Sequence, residues 1–211
     1  MAFKLKTASC VVVGTFNIYV IQPKLLTEIG VFPASDEFRI ETNLEQPGFR
    51  FTCARAPCVK WSVRPDRLTV ESTDSDSDNG ANIAAVLEAL KWTPVSAIGT
   101  NLLLEADLTQ QAQIAPNFRL PTADVEADVG ALKQCTAHVG IQIADQLYNI
   151  QLAQRANGLE LALNVHTALT VGHGARLDQI GKAIAAARSS MEHRQKSIEL
   201  AQSILGVEVL L

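Results

Sequence analysis

The run FRFTCARAPCVKWSVRPDRLTVES, residues 49–72, leaves its chain few ways to fold. Apolar and polar residues alternate through it between two short turn signals, and a period of two belongs to strands with one buried and one solvated face. Register follows, because a slip of one residue would move every side chain to the opposite face. A two-residue turn at Ala56-Pro57 mixes the faces. A three-residue loop, Arg55-Ala56-Pro57, pairs Phe49 with Val63, Phe51 with Trp61 and Cys53 with Val59, which gathers the apolar set on one side. Pro65-Asp66 suits the centre of a type I turn and aligns Trp61 with Val70 and Val63 with Leu68. Cys53 then points inward and Cys58 outward, so the two form neither a disulfide nor half a metal site. The opposite face carries Arg50, Thr52, Lys60, Ser62, Arg64, Arg67, Thr69 and Glu71 and is locally basic.

Further strands are predicted at 8–21, 37–42, 95–106, 132–143, 147–155 and 158–169. Helices are predicted at 23–29, 79–91, 107–114 and, as one long element, 177–205. In order, these elements make an α+β chain of two tandem β-α-β(3–4)-α units, residues 1–93 and 94–211, forming one pseudo-symmetric domain. Its curved antiparallel sheet would carry helices on one face and end in a long C-terminal helix. The starts VVVGTFNIYVIQPKLL and VSAIGTNLLLEADLTQ share a Gly-Thr ahead of an apolar strand. A tandem of this kind resembles the TATA-binding-protein-like fold, which implies an open sheet face but no function. The segments GTFNIYVIQPKLL, RLTVES and TPVSAIGTN are also similar to an uncharacterised bacterial family, a resemblance that brings no activity with it.

In the second unit, Asn157-Gly158 is a two-residue hairpin signal that aligns Tyr148, Ile150 and Leu152 with Thr167, Val165 and Leu163. Asn149, Gln151, Asn164 and His166 then face outward, joined by Gln134, Thr136, His138 and Gln142 of the preceding strand. Antiparallel sheets often have one solvated face, which is the plain account of such a surface. The functional account is a binding platform, because amides and histidines offer donors and acceptors while arginines contact anions. Its candidate residues are Arg50, Lys60, Arg64, Arg67, His138, Asn149, Gln151, Asn164 and His166.

STDSDSDNG, residues 72–80, imitates a calcium loop and fails, since from Asp74 the sixth residue is Asn79 and the twelfth Ala85. It is read instead as a turn in which Asp78 or Asn79 caps a helix whose apolar stripe is Ile83, Val86, Leu87 and Leu90. No phosphate-cradling glycine loop, metal-binding His pair or nucleophile elbow appears, and Cys135 and His138 stand three apart on a strand, facing opposite ways. His173, between two glycines in VGHGAR, reads as connection more readily than as an anion loop with Arg176. The expectation is therefore no metal and no cofactor. MAFKLKTASCVVVGTFNIYVI lacks a cleavage site and is read as a buried strand, not a secretion signal.

Leu177, Ile184, Met191, Ile198 and Leu205 recur every seventh residue, with Arg194 on the adjoining seam, and the tail VEVLL is apolar. Together these features predict a non-enzymatic binding or assembly protein acting through the sheet face, final helix or tail, with a protein partner or self-association. A small-ligand or nucleotide-binding protein is the alternative. Nucleic acid is a third reading, weakened by a net charge of −4 and by a basic sheet face confined to the first unit. Four scattered cysteines suit a reducing cytoplasm, and no run is long enough to span a bilayer.

Overall fold

In the computed structural model, which describes residues 2–42, 47–107, 114, 118, 135–155, 158–169 and 176–211, the two longest strands lie side by side. β1 (Ala2–Gly14) and β6 (Val95–Ala106) pair antiparallel from Lys4 to Gly14. Outward from β1 come β5 (Arg67–Ser72), β4 (Ala56–Val63), β3 (Phe49–Cys53) and β2 (Phe38–Thr42). Outward from β6 come β9 (Gly158–Ala168), β8 (Gln146–Arg155) and β7 (Cys135–Ile143), so all belong to one sheet ordered β2-β3-β4-β5-β1-β6-β9-β8-β7. A tenth strand, β10 (Glu208–Leu210), runs parallel to Ala2–Lys4 of β1, beyond the stretch that β5 pairs.

Among the described residues four helices cover one face: α1 (Pro23–Glu28), α2 (Asn79–Ala89), α3 (Arg176–Arg188) and α4 (Ser190–Leu205). Pro23 starts α1, where its missing N–H costs no helical bond. A bulge between Leu5 and Thr7 shifts the alternation of β1, so that Phe3 falls on the same side as Ala8, Cys10 and Val12. The helix-side core is built in two clusters. Trp61, Phe51, Val70 and Val12 pack with Ile83, Leu87 and Ile180, while Phe3, Leu104, Leu161 and Ile150 pack with Ile198 and Leu205. Trp61 and Phe51 stack with ring centres 5.6 Å apart. Among the described residues no helix is long and apolar enough to cross a membrane.

Three sequence expectations about the architecture are corrected. The α+β tandem of two β-α-β units is replaced by one ten-stranded, mostly antiparallel sheet with four short helices. Element order along a chain says which strands follow one another, and β1 passing directly to β6 merges what was read as two units. The single helix over 177–205 is two, because Ser189 has ψ 8°, far from the helical value. Nothing in the local sequence marks this break. Gly80 of α2 is pressed into it so closely that a β-carbon there would lie 2.0 Å from the Ala187 carbonyl oxygen and 2.1 Å from Ser190 Oγ. The predicted strand over 8–21 instead ends at Gly14, as Asn17 Oδ1 accepts from the Tyr19 N–H and turns the chain. The predicted helix over 107–114 falls almost wholly outside the described residues.

Register is mostly as the alternation requires: Phe49 faces Val63, Phe51 faces Trp61, Trp61 faces Val70 and Val63 faces Leu68. At the first turn Cys53 pairs with Ala56 rather than Val59, through a bulge. Asp36 holds that turn, accepting the Cys53 thiol at 3.1 Å and pairing with Arg55 Nε at 2.9 Å. In the second hairpin Tyr148 faces Val165, Ile150 faces Leu163 and Leu152 faces Leu161, two residues from the predicted alignment. A two-residue shift leaves every side chain on its predicted face.

Candidate functional site

The face away from the helices is where cross-strand register places polar residues in line. One row reads Arg39, Thr52, Lys60, Glu71, Ser9, Asn101, Asn164, Asn149 and Gly140 from β2 to β7. Four of its members form a continuous chain of hydrogen bonds. Asn149 Nδ2 donates to Asn164 Oδ1 at 3.0 Å, Asn164 Nδ2 to Asn101 Oδ1 at 2.6 Å, and Asn101 Nδ2 to Ser9 Oγ at 3.2 Å. All donate in the same direction, so each amide polarises the next. Every carboxamide keeps one further N–H and one further lone pair, and the chain fixes where these point.

Beside the amides the face is hollowed. The neighbouring row places Gly99 between Val11 of β1 and His166 of β9. With no side chain at Gly99, a groove of about 260 Å³ opens, walled by Val11, Val13 and Ala97 on one side and by Asn101, Asn164 and His166 on the other. A β-carbon at Gly99 would come no nearer than 3.5 Å to Asn164 Nδ2, so the fold does not need the glycine there. The hollow is shallow and smaller than most small-molecule sites, but it sets apolar walls beside a few fixed polar groups.

The predicted residues divide into two groups. Asn149, Asn164 and His166 are brought together at the amide chain and groove, while Gln151 and His138 face each other one row further along. Arg50, Lys60 and Arg67 lie on the same face across β3, β4 and β5, and Arg64, just past the end of β4, lines a hollow there with Arg50. Arg67 is committed to Asp66 at 2.9 Å, and this neighbour holds the Asp66 carboxyl below its ordinary range. Sequence reasoning missed Asn101 and Ser9, which complete the chain, and Gly99. Their signal was the alternation of β1 and β6, read only for its apolar members. His173 lies outside the described residues.

A second polar cluster was also unforeseen. Tyr148 Oη donates to Gln146 Oε1 at 2.9 Å, and Gln146 Nε2 lies 2.6 Å from His193 Nε2. With the amide nitrogen on that side, the contact suits a neutral His193 that carries its proton on Nδ1. Burial lowers the His193 pKa, against Glu192 and Asp145, which raise it. This cluster borders a cavity of about 400 Å³ between the β7–β8 turn and α3.

The acidic loop is a structural anchor. Asp78 caps α2 by accepting the Ala81 N–H at 2.8 Å, and Asn79 instead sends Nδ2 to the Ala8 carbonyl at 2.9 Å. Arg194, predicted on the seam beside the heptad positions, is buried and donates to the Ser75 and Ser77 carbonyls. Among the described residues, no group of His, Cys, Asp and Glu is arranged to hold a metal ion. No protein-family model matches the chain, and no curated protein matches it.

Proposed function

We propose that the chain is a binding protein whose open sheet face takes a small ring-shaped ligand presenting adjacent hydrogen-bond donors and acceptors. The observation that carries this reading is the Asn149–Asn164–Asn101–Ser9 chain fixed beside the Gly99 groove. A merely solvated face has no need of side chains held in register across four strands, since water would satisfy each amide separately. Here the amides are preorganised, which lowers the entropic cost of binding. Asn164 and Asn101 supply the polar edge, Val11 and Val13 the apolar contact, and His166 a ring at the groove wall. The protein acts in the cytoplasm, a reading supported by the free thiols of Cys10, Cys53 and Cys58.

Assembly through the final helix is not part of the proposal, because its apolar side is buried in the core, while Leu210 and Leu211 of the tail are exposed. Ile180, Ile198 and Leu205 are buried, and Val207 packs in the second core cluster next to β10. The test is thermal unfolding of the full chain with millimolar nucleosides, lactams and monosaccharides. A ligand at ten times its Kd should add about 1.4 kcal/mol to stability and raise the Tm by roughly 3 °C in a chain of this size. Gly99→Val should abolish that shift while leaving the unliganded Tm unchanged. No shift with any of these ring compounds refutes the proposal.

A further inference from the structure

The row that holds the groove continues past β1. Register carries its row onward, from Gly99 to Val11, Val11 to Thr69, Thr69 to Ser62 and Ser62 to Arg50. With strands about 4.8 Å apart, Ser62 lies about 14 Å from Gly99 and Arg50 about 19 Å from it. At that distance the face opens into a second hollow of about 190 Å³, lined among others by Arg50, Ser62, Arg64 and Thr42. Glu41 also lines it but is paired with Arg39 at 3.3 Å. Arg50, Lys60 and Arg64 have no ion-pair partner among the described residues, unlike Arg39, Arg55 and Arg67.

The line is therefore graded. One end offers neutral amides, the middle offers the methyls of Val11 and the hydroxyl of Thr69, and the other end offers three cations outside the close ion pairs, with Glu41 opposite Arg50 and Glu71 opposite Lys60 in register, together with Ser62 and Thr42. A ligand that complements the whole line has a hydrogen-bonding ring, a neutral spacer and a multiply charged anionic end. Guanidinium forks suit phosphate oxygens, and asparagine amides suit the donor-acceptor edge of a base. Resting on the groove reading above, we propose that the ligand is a nucleotide, with its base over Gly99 and its phosphates between Arg50, Lys60 and Arg64.

Calorimetric titration of the full chain with nucleosides of each base, their 5′-triphosphates and inorganic tripolyphosphate tests this. At least one triphosphate should bind tenfold or more tightly than its nucleoside at low salt, with the difference shrinking as salt rises. The double variant Arg50→Ala/Arg64→Ala, confirmed folded by its circular dichroism, should lose that gain while keeping the nucleoside affinity. Equal affinity for nucleoside and triphosphate overturns the phosphate assignment and leaves the groove reading standing. Binding of tripolyphosphate without any nucleoside overturns the base site and the nucleotide assignment together, and so does binding of nothing.

Discussion

Replacing Arg194 by Met removes the bridge between α4 and the acidic loop while keeping most of the buried stem. Arg194 is 4% exposed, and its guanidinium donates to the carbonyl of Ser75 and, at 3.4 Å, to that of Ser77. The first bond, from a charged donor, contributes about 2 kcal/mol, and the longer one about 0.5 kcal/mol. The loop also loses the cation that faces Asp74, Asp76 and Asp78, three carboxylates that favour its charge although burial lowers its pKa. Against these losses, Nε has no hydrogen-bond partner among the described residues, and removing that unsatisfied donor returns about 1 kcal/mol. The net cost is about 2 kcal/mol. In urea, with a slope of about 2.5 kcal/mol per molar for a chain this long, the midpoint should fall by about 0.8 M at unchanged slope. Arg194→Lys should rescue little, because one ammonium cannot reproduce the two-pronged contact. A midpoint within about 0.2 M of wild type in Arg194→Met would refute the anchoring argument.

Three further outcomes follow from the packing. Gly80→Ala drives a β-carbon into the Ala187 carbonyl, and should cost about 3 kcal/mol, the upper end for overpacking, in the same denaturation assay. His193 has a lowered folded-state pKa, so the unfolded chain binds its proton more readily; stability should fall as pH drops through about 6.5 toward the folded-state value, and His193→Gln should flatten that part of the profile. Burial pushes the Cys10 thiol up to about 12, whereas Cys58 is partly exposed, so iodoacetamide near neutral pH should label Cys58 in the native protein and reach Cys10 only on unfolding, as peptide mass mapping reads.

Residues 49–72 were legible because alternation and two turns over-determine one another there: only one register gathers Phe51, Trp61 and Val70 on a side. Even the misplaced turn at Asn157-Gly158 cost nothing in function, since an even shift kept Asn149 and Asn164 facing outward. Long-range causes were not legible. The break at Ser189 is set against a glycine over a hundred positions earlier, and the heptad pattern runs through it undisturbed. The amide chain was half visible for the same reason, because Asn101 and Ser9 become neighbours of Asn164 only through the pairing of β1, β6 and β9. Arg194 marked the limit of seam arguments: its charge counted against a dry dimer core, but its partners, carbonyls of a loop 117 to 119 residues away, were not legible.

The central claim is that the amide chain and the Gly99 groove receive the ligand, and nuclear magnetic resonance of the 15N-labelled protein reads both at once. Each side-chain amide of Asn101, Asn149 and Asn164 gives its own pair of signals, and Gly99 reports from the groove floor. On addition of the nucleoside that most raises the Tm, those signals and the backbone amides of Val11 and His166 should shift together and saturate at one Kd, while Ile83, Ile180 and Ile198 on the helix side stay put. Shifts confined to the helix side, or side-chain amides of the three asparagines unmoved at saturation, would contradict the account.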